Sequence, residues 1–205
     1  MREYVVFDLE ANADRSDSPA HEIIEIGAVL VVDGAESSSF STLVRPTRPL
    51  RSQTRELTGL TDEDLVQAPT LTEALSQFAA YVGNRPMMAH NGFGYDFPLL
   101  DTAAERSELP SIGGVRLDTL ELAHLAFPRA GLDMARGIDG TQPPAGRSLD
   151  DLAEWLLGRS ARPAHRALGD ARLLAEVLLP LIATLNEASP PRRRQRWVLH
   201  ATAHP

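Results

Sequence analysis

Asp8 and Glu10 stand two residues apart at the end of a short β-favouring run, Tyr4-Val5-Val6-Phe7. Strand side chains alternate, so both carboxylates leave the same face and two like charges are forced together. A cation or a proton would relieve them, which points to a divalent metal; the other reading is a solvated strand end. Asp170 weighs toward the metal. It falls inside the apolar stripe Ala167, Ala171, Leu174, Leu178, Leu181 and Leu185, three residues after the first of these and four before Leu174. A carboxylate facing protein has to be paired or coordinated, and a chain without Lys leaves only Arg or a metal to do it. His165, five residues earlier, is close enough to share that site but is not spaced as an i,i+4 zinc pair.

Other polar residues have structural alternatives. Asp96, just before Phe97-Pro98, suits the cap of the following helix, a role compatible with catalysis. His90-Asn91-Gly92 follows a short apolar strand and belongs at the rim of a sheet, where ligands of open α/β sheets bind. Asp118 with Glu121 fits a capping box, and the structural reading is preferred there. Glu25 lies on a solvated face or pairs with an Arg. Arg166 and Arg172 flank Asp170 and either steer a polyanion or are simply solvated.

These residues need elements to position them. Ile23 to Val32, the Asp33-Gly34 turn and Ser39 to Val44 read as a hairpin beside the first strand. Beyond Thr54 the pattern changes: Leu71 to Val82 is an amphipathic helix, Pro86 to Ala89 a short strand, Phe97 to Ala104 a helix, Val115 to Leu117 a strand and Asp118 to Leu125 a helix. Arg129 to Arg147, rich in Gly and Pro, reads as a mobile loop. Ser148 with Asp151 signals a capped helix through Leu157, and a longer helix runs from about Arg166 to Leu185, with Pro180 kinking it or marking its last regular turn. Strands in antiparallel succession followed by strands alternating with helices predict a mixed α/β sheet covered by helices.

Composition excludes several classes. With 205 residues, 43% apolar and 23% charged, the chain suits one globular domain plus a tail: 1–186 as the domain, 187–205 as a Pro/Arg-rich linker from which the natural protein continues. The absence of Cys removes disulfides, thiolate metal sites and cysteine nucleophiles. All 20 cationic residues are Arg, so Schiff-base chemistry and a phosphate-loop lysine are out. No apolar leader precedes the first strand, and the longest apolar stretch falls short of the ~20 residues of a membrane span, so a cytoplasmic protein without membrane association is expected. The net charge of −8 should repel nucleic acid unless something local reverses the field.

Taken in order, FDLE at 7–10, IIEIGAV at 23–29, LTGLTDED at 57–64, HNGFGYDFPLL at 90–100 and HRALGDA at 165–171 resemble the DEDDh, DnaQ-like 3′-to-5′ exonucleases. The likeness runs from about residue 3 to 183. The HNGFGYDFPLL segment is most similar to the three-prime repair exonucleases, whereas Ala11-Asn12-Ala13-Asp14 departs from the Thr- and Gly-containing stretch common after the first motif.

The resemblance implies an RNase H-like fold with a mixed five-stranded sheet, three antiparallel strands then two parallel. It implies that Asp8, Glu10, Asp96 and Asp170 hold two divalent ions, Mg²⁺ or Mn²⁺, and that His165 activates water. Backbone from Leu9 to Ala11 and side chains of His90 and Asn91 would border the terminal nucleotide; from its residue type, Phe93 either stacks on an unpaired base or packs within its loop. Two ions can clamp the attacking and leaving oxygens of a phosphodiester and would bring the formal charge from −8 to −4. Neutral imidazole is needed to accept a proton, so an unperturbed His165 predicts activity falling as pH drops through about 6.5. The expected substrate is a single-stranded or frayed 3′ end, DNA rather than RNA, yielding nucleoside monophosphates. The alternatives are an exoribonuclease and a noncatalytic docking module of a polymerase or helicase, in trans or as a fused domain.

Overall fold

A computed structural model describes residues 3–13, 21–127, 146–159 and 165–188. Strand β1 (Glu3–Asn12) is the pivot of the fold because both of its faces are covered. Val5, Phe7 and Leu9 join one core cluster, and Tyr4 and Val6 join another on the opposite face. β1 pairs antiparallel with β2 (Glu22–Val32), which pairs antiparallel with β3 (Ala35–Leu43). The β2–β3 link is the expected two-residue turn: Asp33 and Gly34 both take positive φ, 50° and 89°, as a primed turn between twisted strands demands.

The chain then runs through α1 (Ser52–Thr58), α2 (Asp62–Leu65) and α3 (Leu71–Val82) to β4 (Met87–Ala89), α4 (Asp96–Arg106), β5 (Arg116–Asp118), α5 (Thr119–Ala126), α6 (Leu149–Leu157) and α7 (Ala167–Ala188). β4 pairs parallel with β1 and β5 parallel with β4, giving the order β3-β2-β1-β4-β5. This is the mixed five-stranded sheet that the family resemblance implies. Ala74, Leu75 and Phe78 of α3, with Phe97 and Leu100 of α4, pack on the Val5–Phe7–Leu9 face; Ala171, Leu174 and Leu178 of α7 pack on the Tyr4–Val6 face. Strand alternation therefore aims Asp8 and Glu10 toward the α7 side.

Local signals decide several boundaries. The Ser148–Asp151 capping box forms as expected, and an equivalent box, Thr70 with Glu73, starts α3. Asp118 does cap α5, but it accepts from the Leu120 N–H instead of forming the reciprocal pair with Glu121. α7 does not end at Pro180. It continues eight residues further, held by buried Leu181 and Leu185 and by the Thr184 hydroxyl, which donates to the Pro180 carbonyl. Packing of the last two turns outweighs the hydrogen bond that proline removes. Among the described residues, no helix is long and apolar enough to cross a membrane. The predicted loop lies outside them except for Gly146 and Arg147, as does the tail from 189 onward.

Candidate active site

Four carboxylates from three elements meet at one end of the sheet. Asp8 and Glu10 come from β1, whose register with β2 shifts between Glu10 and Ala11, where β2 carries the extra residue Ile24. Asp96 opens α4 and is 4% exposed, and its Oδ1 accepts the Leu9 N–H at 3.2 Å. Its carboxylate thus reaches across to the β1 backbone between the first two acids. The helix-cap reading does not hold: Tyr95 occupies the N-cap position, without a side-chain cap, and Asp96 is already inside the helix. Asp170, 9% exposed, sits in the first turn of α7, where its Oδ2 accepts the Arg166 N–H at 3.2 Å and lies 4.0 Å from His165 Nδ1. Glu10, His165 and Asp170 each offer a donor atom within 4.8 Å of the others.

Proton affinities register the crowding. Asp8 is pushed well above the ordinary aspartate range, first by burial and then by the charges of Asp96, Glu10, Asp170 and Glu25. Glu10 is raised to about 8, by burial and then by Asp170, Glu25 and Asp96, with Arg166 opposing. Burial lifts Asp96 to about 7 even though the Leu9 N–H favours its charged form. A cluster that would hold protons near neutrality when alone is one that a divalent cation stabilises. Oxygen donors with one imidazole beside them fit a hard ion.

His165 is exposed, and its backbone is anchored: its N–H donates to the Leu57 carbonyl at 3.0 Å, one residue before α1 ends. The LTGLTDED segment thus holds the loop that carries the histidine, a role its composition does not announce. Tyr95 joins the acids, a residue that the motifs do not single out. Its phenol is raised to about 12 by burial and by Asp96, Glu10 and Asp8, so it remains a hydrogen-bond donor beside the acids. Its position next to Asp96 was the available signal.

The expected nucleotide-contacting residues divide. The Leu9 side chain is buried in the core and its N–H is taken by Asp96. Ala11 follows the register shift and is partly buried. Both ring nitrogens of His90 are engaged, Nδ1 with Thr119 Oγ1 at 3.0 Å and Nε2 with the Arg147 carbonyl at 2.8 Å, and burial lowers its pKa. His90 therefore ties the chain at Arg147 to the β4–α5 corner. Asn91 is exposed and in the left-handed region at φ 57°. Phe93 is 54% exposed; its ring packs 5.4 Å from Phe97, and its N–H donates to Asp118 Oδ2 at 2.9 Å. The two arginines beside Asp170 are committed to carboxylates, Arg166 to Glu25 at 2.9 Å and Arg172 to Glu36 at 3.0 Å. Glu25 is thus Arg-paired and not on a solvated face.

Comparison with known proteins adds an independent line. A family model, RNase_T, described as exonuclease, matches residues 5–178. The chain is 35% identical over 183 residues to a Mycobacterium tuberculosis protein named as a bifunctional exonuclease/endonuclease, covering 87% of this chain but 26% of that one. It is 32% identical over 182 residues to DNA polymerase III subunit epsilon of Aquifex aeolicus, covering 89% of this chain and 81% of the relative. Against a PolC-type DNA polymerase III of Thermotoga petrophila, 30% identical, it spans 12% of the relative's length. Among solved structures, E. coli exonuclease I bound to a dA16 oligonucleotide superposes with a TM-score of 0.71 over 91% of this chain and 42% of that one, at 13% identity. That likeness concerns the fold: the sheet and flanking helices described above are those of an RNase H-like exonuclease.

Proposed function

Since the chain belongs to the RNase_T exonuclease family, DnaQ-like and of DEDDh type, we propose that it removes nucleotides from single-stranded or frayed DNA 3′ ends, releasing nucleoside monophosphates. The observation that carries this reading is the convergence of Asp8, Glu10, Asp96 and Asp170 beside His165, with raised proton affinities at the first three. Preference for DNA draws support from the epsilon relative and from the oligonucleotide complex of exonuclease I.

Asp8, Glu10, Asp96 and Asp170 would hold two divalent ions, Mg²⁺ or Mn²⁺. When bound, such ions lower the pKa of water and neutralise charge on the phosphoryl oxygens. His165 accepts the proton of the attacking water at Nε2, the nitrogen not facing Asp170. A P–O bond to that water forms, the bond to the 3′ oxygen of the preceding nucleotide breaks, and this oxygen is protonated from solvent. Tyr95, kept protonated beside the acids, would donate its O–H to a phosphate oxygen. Phe93 offers its exposed ring to a base. Residues 1–186 form the catalytic unit.

A deciding experiment compares oligonucleotides labelled at either end, incubated with Mg²⁺. Stepwise shortening from the 3′ end, abolished by Asp8→Ala, is expected; a wild-type protein releasing nothing would overturn the reading in favour of a docking module. Matched DNA and RNA strands test substrate choice. Membership of a polymerase assembly is a second reading, favoured by the match inside the PolC-type chain. Binding of the purified protein to a replicative polymerase subunit checks it.

A further inference from the structure

Glu25 is 2% exposed in the middle of a strand and sits directly across the ladder from Glu10, an arrangement that two like charges do not adopt unaided. Its carboxylate is engaged from one direction. The Arg166 guanidinium, 141 residues away in sequence, donates from Nη2 to Oε1 at 2.9 Å and from Nε to Oε2 at 3.0 Å. The Ala167 N–H, an otherwise unsatisfied donor at the first residue of α7, lies 3.4 Å from Oε2. Arg166 also acts through its main chain, whose N–H donates to Asp170 Oδ2 at 3.2 Å, and it is the immediate neighbour of His165. One residue thus joins β2, the first turn of α7, one acid of the site and the loop bearing the histidine.

We propose that Glu25 and Arg166 form a positioning clamp that sets Asp170 and His165 against Asp8 and Glu10, an assignment that rests on the nuclease reading. Bidentate pairing fixes both the distance and the rotation of the guanidinium, as a single ammonium contact would not. Removing Arg166 leaves the Glu25 charge buried and unpaired, and removing either partner frees the start of α7. The same pairing gives the half-exposed Arg166 guanidinium a fixed partner in Glu25, so its part is positioning and not steering of the strand. Its remaining effect on the site is a positive charge near Glu10, which favours the ionised carboxylate.

The test uses Arg166→Ala, Arg166→Lys and the isosteric Glu25→Gln in the full chain. Each is measured on a single-stranded DNA oligonucleotide and on the p-nitrophenyl ester of thymidine 5′-monophosphate, which carries no strand. Mn²⁺ affinity is read separately, as the concentration giving half of the full rise in melting temperature. A clamp predicts that Arg166→Ala and Glu25→Gln lower kcat about 10- to 100-fold on both substrates and raise the Mn²⁺ midpoint by a similar factor, with KM nearly unchanged, while Arg166→Lys recovers part of both. A rise in KM confined to the oligonucleotide would overturn the proposal in favour of a strand contact. Unaltered kcat and Mn²⁺ midpoint with only a lower melting temperature would overturn it in favour of a purely structural pair. Should Arg166→Ala fail to fold, Glu25→Gln keeps the shape and decides alone. An inactive wild type would refute the nuclease reading, while the Mn²⁺ midpoints would still judge the clamp.

Discussion

Gly27 lies opposite Asp8 across the β1–β2 ladder, and the space its side chain would occupy is taken by the start of α7: a Cβ on Gly27 would stand 2.0 Å from the Leu168 nitrogen. The backbone of the helix rests directly on the strand that pairs with the first acid. This contact carries Asp170, two residues further along α7, to Asp8 and Glu10.

Gly27→Ala is therefore expected to push α7 outward, since the obstacle is backbone and not a flexible side chain. Destabilisation should reach the upper end of the ~1–3 kcal/mol range for overpacking, a fall in melting temperature on the order of 5–10 °C. Nuclease activity should fall further than the loss of folded protein accounts for, a comparison made by assaying below the transition.

Metal-free protein should lose stability as pH rises. Glu10 has an ordinary value of 4.5 but titrates at about 8 in the fold, and Asp96 moves from 3.8 to about 7. Between these limits the native chain binds more protons than the unfolded one, so unfolding free energy falls with increasing pH, from about 4 to about 8. Melting curves in a chelator should show that decline, and saturating Mn²⁺ should flatten it.

Asp8→Asn should separate function from stability. Removing one charge from the cluster is expected to raise the melting temperature of metal-free protein at pH 8 while lowering 3′-end hydrolysis about 10³-fold or more. A variant that is both inactive and less stable would contradict the electrostatic account.

His165 is exposed and anchored through its backbone, so its imidazole can be removed without disturbing the core. His165→Ala should keep its melting temperature within about 1 °C, a surface-scale effect. It should lose roughly 10²- to 10⁴-fold in kcat, with partial recovery on adding free imidazole.

Phe93→Ala should act on binding. With more than half of its surface exposed, 54%, the ring contributes little to the core. KM for an oligonucleotide should rise about tenfold, in line with ~1–3 kcal/mol for base stacking. The nitrophenyl ester, whose single base has no strand behind it, provides the contrast: an equal rise on both substrates places Phe93 at the terminal base, and a rise on the oligonucleotide alone places it further along the strand.

Much of this architecture is legible in short spacings. The two-residue separation of Asp8 and Glu10 places them on one strand face, Asp33-Gly34 specifies the hairpin, Ser148 with Asp151 starts a helix, and Asp170 interrupts an apolar stripe. Each involves residues within a turn or a strand of one another, where covalent geometry leaves few options. Expectations strained where a side chain had more than one partner within reach. Asp96 could cap its own helix and instead meets the β1 backbone; His90 could face a ligand and instead joins Thr119 to Arg147.

By itself, the order of residues determined the shared face of Asp8 and Glu10, the place of Asp170 in an apolar stripe and the kind of sheet that carries them, because periodicity and turn chemistry are local; Asp96 joined them only through the family resemblance. Only the tertiary structure decided that Arg166 closes on Glu25, that Leu57 holds His165 and that α7 settles onto Gly27. Those pairings join segments up to 141 positions apart, and at such separations the choice among partners is made by burial and close packing, which no spacing along the chain encodes.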